Sequence, residues 1–363
     1  HRLKYLAEGG KPRIYVERSC LLVAVKRFSD GVAKAFHDLG YETFIHDECS
    51  NGNIDYIMAT NREIHHFKPD LLIKTPNLFQ DPPILSINPG PPTLYPLQDN
   101  TSVLYHLNHI KKNPLGKFDF ITLLYKSYFD RYLSLGLRKE QISIDFLPSD
   151  ELAVDFKNFS KEKKYDIGLI KTVTPYTYLV EMATPSPKDK IAIEKSQEIM
   201  NISLEGNIPL SFEECLRIVP PSWKEKASAY YHQHFCLHFI NALCKEGFSL
   251  SLTGANWHLW EKYKAYALGP AEKLSELQER FHENKINLSM NAWGMFHPRI
   301  LQGGRSGAFF LVYKGSKRNT QLEKPVDWIE KKHFDTFSSK KELIEKCRYY
   351  LKNPALREEI ACN

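Results

Sequence analysis

Residues 286–314 carry the densest chemistry in the chain. Ile286-Asn287-Leu288-Ser289-Met290 is apolar and strand-like, residues 291–297 are irregular, residues 298–306 have helical spacing, and Ala308-Phe309-Phe310-Leu311-Val312 reads as a second strand. In an open α/β sheet, ligands bind beyond the carboxyl ends of strands, so the loop from Asn291 to His297 lies where a ligand is expected. A helix beginning near Pro298 aims its free N–H groups and partial positive charge at that loop, and proline suits a first helical position. The chemistry this favours is holding an anion such as a diphosphate at that loop. Gly303, Gly304 and Gly307 let backbone approach a ligand, or let helix and strand pack closely; either use offsets a helix cost of about 1 kcal/mol per glycine.

Other candidates follow the ends of strand-like runs. Gly254 and Trp257 come after Leu250-Ser251-Leu252, where the indole can stack on a nucleobase or cap the core. Lys171 follows Tyr165-Asp166-Ile167-Gly168-Leu169-Ile170 and can neutralise phosphate charge. Nearer the start, Glu17 to Cys20, His46-Asp47 and Asn88-Pro89-Gly90 occupy equivalent places. His46 or Asp47 can act as a general base on a hydroxyl, or simply end a strand as polar residues do. No D-x-D pattern occurs, so no metal site is expected. His232, His234, Cys236 and His238 have two histidines on one helical face, but without a third ligand nearby they read as ordinary helix surface and core.

The elements that must position these residues alternate. Arg13 to Glu17 reads as a strand, residues 25–39 as a helix with one apolar face, and Tyr41 to Ile45 as the next strand, giving a β-α-β unit and hence a parallel sheet. A helical stretch at 55–66 and strands at 70–74, 84–87, 118–124 and 142–147 continue it. Residues 149–164 are polar and lysine-rich, which places a boundary between an N-terminal domain, 1–150, and a C-terminal domain, 151–363. In the second domain, residues 172–225 form an irregular, proline-dotted insertion; helices are expected near 226–246, 271–283, 298–306 and 340–352, with strands at 165–170, 248–252, 286–290 and 308–312.

A chain of 363 residues exceeds the roughly 250–300 at which one core stops growing. Its 49 basic and 43 acidic residues give a net charge of +6 without a basic stripe, which argues against a nucleic-acid binder. The mild positive balance suits an anionic ligand, and also peripheral association with an anionic membrane surface. Seven cysteines without a C-x-x-C pair argue for a reducing compartment, and the opening residues lack the order of a signal peptide, so the expected location is cytoplasmic.

With these residues in view, the chain resembles the CgeB-like (spore maturation protein) glycosyltransferases, relatives of the group-1 glycosyltransferases. The likeness spans roughly residues 118–362 and rests on Thr253-Gly254-Ala255-Asn256-Trp257, Ile286-Asn287-Leu288, the run from His297 to Gly307, Phe337 to Leu343, Tyr349 to Pro354, and Arg357. It implies an α/β fold of the GT-B type, two Rossmann-like domains facing each other across a cleft. The C-terminal domain would bind a nucleotide-diphosphate sugar and the N-terminal domain would supply the acceptor side. Arg299 and His297 would face the diphosphate. Gln302 falls where relatives place the second glutamate of an E-x7-E pattern that grips the ribose, and Gly294 falls on the first. An amide still bonds a hydroxyl as donor or acceptor.

The expectation is therefore a metal-independent glycosyltransferase with no cofactor beyond its nucleotide-sugar co-substrate and a protein, glycan or small-molecule acceptor. A nucleotide-sugar epimerase and a non-catalytic two-lobe binding protein are the alternatives, because fold does not fix function.

Overall fold

The computed structural model describes residues 2–19, 23–48, 62–74, 91–97, 106–107, 110–111, 115–123, 128–144, 162–173, 186–188, 190–191, 194–196, 198–199, 219, 224–291, 297–314 and 329–363. The chain divides into two compact units, His1–Glu151 and Leu152–Asn363.

The first unit opens with α1 (Arg2–Ala7), β1 (Arg13–Ser19), α2 (Val23–Asp38) and β2 (Glu42–Glu48), then β3 (Leu71–Lys74), β4 (Thr93–Leu97), β5 (Asp119–Leu123), α3 (Phe129–Ser134) and β6 (Ile142–Ile144). The six strands form one parallel sheet in the order β2-β1-β3-β4-β5-β6. Alternate residues of β1 serve opposite faces. Ile14 and Val16 pack with Ala33 of α2, whereas Tyr15 packs with Ile64 and Leu72 and with Phe44 and Phe67. Strand β4 was not among the expected strands; it lies between β3 and β5 with Pro96 opposite Thr122, a central place that proline ordinarily disfavours. The strand expected at 84–87 lies outside the described residues, and the helix expected at 55–66 is described only over 62–67.

The second unit runs β7 (Tyr165–Ile170), α4 (Lys224–Lys245), β8 (Leu250–Thr253), β9 (Ala267–Gly269), α5 (Leu274–Glu283), β10 (Asn284–Ser289), α6 (Pro298–Arg305), β11 (Phe310–Tyr313), β12 (Asp335–Phe337), α7 (Lys340–Lys352) and α8 (Pro354–Cys362). Its parallel sheet has the order β12-β11-β10-β7-β8-β9. Most of the irregular insertion at 172–225 lies outside the described residues.

The sheet order places β7 at the centre, with β8 and β9 on one side and β10 to β12 on the other, as in a doubly wound Rossmann sheet. Two of its strands are buried throughout: all four residues of β8 and of β11 are buried, as expected of parallel strands covered on both faces. One polar network lies inside. Ser251 Oγ donates to Asn284 Oδ1 at 2.6 Å, Asn284 Nδ2 donates to Asn287 Oδ1 at 3.0 Å, and Asn287 Nδ2 donates to the Phe281 carbonyl at 3.0 Å. A fully bonded network of this kind holds one register of β8 and β10 around β7.

Candidate anion site at the strand crossover

The chain reverses its direction of sheet growth between β7 and β10, and in open α/β sheets ligands bind beyond the carboxyl ends of strands at such a reversal. Lys171 is the first residue beyond β7 and its backbone is fixed from three directions. Its N–H donates to the Thr253 carbonyl at 2.8 Å. Its carbonyl accepts from Trp257 Nε1 at 2.6 Å. Gly254, at φ +138°, passes so close that a Cβ there would stand 2.2 Å from the Lys171 carbonyl oxygen, so only glycine fits. Asn256 adopts a left-handed φ of 71° and its Nδ2 donates to the Val173 carbonyl at 2.9 Å.

Trp257 takes the core-capping place of the two expected for it. It is wholly buried, edge-on to Tyr263 with ring centroids 5.8 Å apart. Its indole acts on the site by holding Lys171.

On the β10 side, α6 begins as the sequence suggests. His297 is its N-cap and Pro298 its first residue; His297 Nδ1 accepts from the Arg299 backbone N–H at 3.3 Å. The Arg299 guanidinium donates to the carbonyl of Ile170, the last residue of β7. Lys171, His297 and Arg299 thus converge at one strand end, beside the N–H groups of a helix N-terminus. Their proximity shifts their ionisation. Burial pushes the Lys171 amine below its usual range and the Arg299 charge adds to this, while Cys236 acts in the opposite sense. Burial, then Arg299, then Lys171 hold His297 down to about 3, so its ring is neutral at pH 7 and Nδ1 remains an acceptor. Among the described residues no carboxylate lies within ion-pair distance of Lys171. A cluster of this sign suits an anion.

The other candidates fall as follows. Asn291 is buried just beyond β10. Gln302 is half-buried on α6 and its carbonyl accepts from Ser306 Oγ at 2.8 Å. Gly303 faces the sheet: a Cβ would meet the Phe310 ring at 2.4 Å and the Phe281 ring at 3.0 Å, a close helix-to-sheet approach. Gly304 lies in the last turn of α6, and Gly307, at φ +71°, closes that helix as the N–H of Ala308 donates to the Gly303 carbonyl. Gly294 and the rest of 292–296 lie outside the described residues.

In the first unit, His46 sits near the carboxyl end of β2, opposite Glu17 of β1. It is buried, stacked on Tyr15, and its Nδ1 lies 2.6 Å from Glu63 Oε2. Asp47 follows it on the strand opposite Arg18; its side chain, Cys20 and Asn88-Pro89-Gly90 lie outside the described residues.

Sequence reasoning missed Glu63 as the partner of His46. It also assigned Cys236 to ordinary helix, whereas Lys171 Nζ donates to Cys236 Sγ at 3.2 Å. The contact joins β7 to α4, and nothing local in the sequence signals it. Of the neighbouring histidines, His234 and His238 are partly buried and burial lowers the His234 pKa; the His232 side chain lies outside the described residues.

Residues 232–363 match the family described as Glycosyl transferase-like. No curated protein matches the chain by sequence. Among solved structures it is similar to an α-glucosyltransferase in complex with UDP and a 13-mer DNA containing an HMU base (12% identity, TM-score 0.59, 97% of this chain and 94% of that one). It is also similar to sucrose-phosphate synthase from Thermosynechococcus elongatus (8% identity, TM-score 0.53, 97% and 92%) and to the catalytic domain of starch synthase IV from Arabidopsis thaliana bound to ADP and acarbose (9% identity, TM-score 0.52, 97% and 95%). Residues 232–363 thus resemble a Glycosyl transferase-like domain, in a chain with the GT-B fold of two Rossmann-like domains.

Proposed function

We propose that this enzyme transfers a sugar from a nucleotide-diphosphate donor to an acceptor hydroxyl, with the diphosphate held in the second unit by Lys171, Arg299 and the N-terminus of α6. The observation that carries this reading is the convergence of Lys171, His297 and Arg299 at the crossover between β7 and β10. Breaking the glycosidic bond leaves an additional negative charge on the departing diphosphate, and fixed positive charge at that place lowers the barrier. Arg299 offers paired donors to phosphate oxygens, and Lys171 offers a point charge. These groups do the work that a divalent ion performs in other transferases, which supports metal-independent transfer.

Gln302 and Asn291 are proposed to bond donor hydroxyls, and Gly304, on the same helix as Gln302, to let the donor approach its backbone. His46 or Asp47 is proposed to serve acceptor activation, His46 being held by Glu63. The acceptor is proposed to be a protein, glycan or small molecule, and the location cytoplasmic with peripheral membrane association through the net positive charge. The match over residues 232–363 and the motifs around His297 and Trp257 support a CgeB-like affiliation.

A thermal-shift titration with UDP, GDP, CDP, dTDP and ADP, with and without a divalent ion, tests the reading, since a ligand that binds only the native state raises the melting temperature. One nucleotide is expected to shift it without metal. Arg299→Ala is expected to weaken that nucleotide roughly 10- to 100-fold, the worth of a charged hydrogen bond, and Gln302→Ala less. If both variants bind as the wild type does, the site is misassigned; if no nucleotide binds, the two-lobe binding protein becomes the better reading.

A further inference from the structure

We propose that Cys236 is a positioning residue for Lys171, its sulfur holding the lysine ammonium charged and in place for anion binding at the carboxyl end of β7; this rests on the donor-site reading above. Cys236 is fully buried on α4, whose buried residues belong to one core cluster with those of β7 and β10. Its Sγ accepts from Lys171 Nζ at 3.2 Å and lies 3.8 Å from the Met290 carbonyl, to which its S–H points. One thiol thus connects the residue after β7 with the residue after β10, the two paired strands at the reversal.

The charges around Lys171 explain why the amine needs such a partner. Arg299 and His297 face it from α6 and its approach, and Cys236 faces it from α4. Burial and the Arg299 charge both favour the neutral amine, while no described carboxylate offsets them. A neutral lysine has lost the property that makes it useful to a diphosphate. The sulfur lone pairs are the acceptor that opposes this loss. They also keep the four-carbon stem, otherwise rich in rotamers, in one conformation.

The test is the titration of Lys171 itself, followed by NMR in the full chain labelled at lysine Cε and Nζ and assigned with Lys171→Arg. Three variants are compared: Cys236→Ala, Cys236→Val, which keeps the site filled but removes the acceptor, and Cys236→Ser, which restores one. The Lys171 midpoint is expected to fall by about one pH unit, a tenfold loss of proton affinity, in the alanine and valine variants and to recover in the serine variant. UDP affinity is expected to follow, with a loss of up to about tenfold that grows as pH rises and vanishes at low pH, where the amine is charged in every variant. A midpoint indifferent to Cys236→Ala and Cys236→Val overturns the proposal. If the midpoint moves as expected but no nucleotide binds even the wild type, the pairing stands and the donor reading fails. Should the alanine variant not fold, the valine and serine pair decides alone.

Discussion

At the scale of single residues, the candidate site depends on groups held in unusual states by their neighbours. His297 is the N-cap of α6 only while Nδ1 is unprotonated, and burial with the Arg299 and Lys171 charges holds its pKa at about 3 against 6.5 unfolded. Because the unfolded chain takes up this proton at higher pH, His297 contributes stability that is full above about pH 6.5 and is lost as pH falls from there towards 3. His297→Asn keeps a capping oxygen without the titration, so acid denaturation curves of the variant should show a shallower loss between pH 6.5 and pH 4 than those of the wild type. Equal slopes would show that the fold does not depress the pKa of this ring. Gly254→Ala should cost about 2 kcal/mol or more, because a side chain at φ +138° meets the Lys171 carbonyl, and nucleotide affinity should fall with it as Lys171 is pushed aside. Urea denaturation and the same UDP titration measure both effects. Lys171, Gly254, His297 and Arg299 were all visible as residues following strands or opening a helix. Cys236 and Glu63 were not, because a residue's partner across a fold leaves no mark on its own surroundings.

At the scale of elements, the sequence is most legible where period and capping agree. Residues 165–170 and 340–352 form the expected strand and helix without adjustment. Helix α7 has Ser339 as N-cap, its Oγ accepting from the Glu342 N–H at 3.2 Å, with the Glu342 carboxylate returning to the Ser338 N–H at 2.8 Å. Ser339→Ala should therefore lower stability by about 1 kcal/mol without changing nucleotide affinity, since α7 contributes no residue to the candidate site. The short strands β9 and β12, three residues each, and the proline-bearing β4 escaped, because pairing with neighbours makes them strands and their own composition does not. Gly303 shows the same limit in a helix. Alanine there gains about 1 kcal/mol in helix propensity yet inserts a methyl against Phe310 and Phe281, at an overpacking cost of about 1–3 kcal/mol. Moving α6 off the sheet also displaces His297 and Arg299, so Gly303→Ala should weaken UDP binding by more than its melting temperature alone implies; calorimetry on one preparation measures both.

At the scale of the whole molecule, the strand order of each sheet is what the amino-acid pattern leaves unsaid. Alternation of strands and helices indicates two parallel sheets, but it does not tell that β10 returns to the far side of β7. That return brings His297 and Arg299 to Lys171. Every residue proposed for the donor site lies in the second unit, Leu152–Asn363, and the main core of that unit is drawn wholly from its own elements, from Ile167 on β7 to Ile360 on α8. The last elements close it: Tyr350 donates to Asp335 Oδ2 at 2.9 Å, Lys346 reaches Asp335 Oδ1 at 3.0 Å, and Arg357 donates to the Tyr350 carbonyl at 2.8 Å. A domain with its own core can in principle fold alone. The fragment 152–363 should accordingly unfold in one cooperative transition and respond to the same nucleotide as the full chain, with a dissociation constant within about threefold, because the linkage depends only on native-state contacts retained in the fragment. Removing α8 from that fragment should uncover Leu343, Cys347 and Tyr350 and abolish the transition. The complementary fragment 1–151 should fold without any response to nucleotide. A nucleotide response in 1–151, or its loss from a folded 152–363, would place the donor in the first unit and make the cationic cluster at β7 and β10 a feature of packing alone.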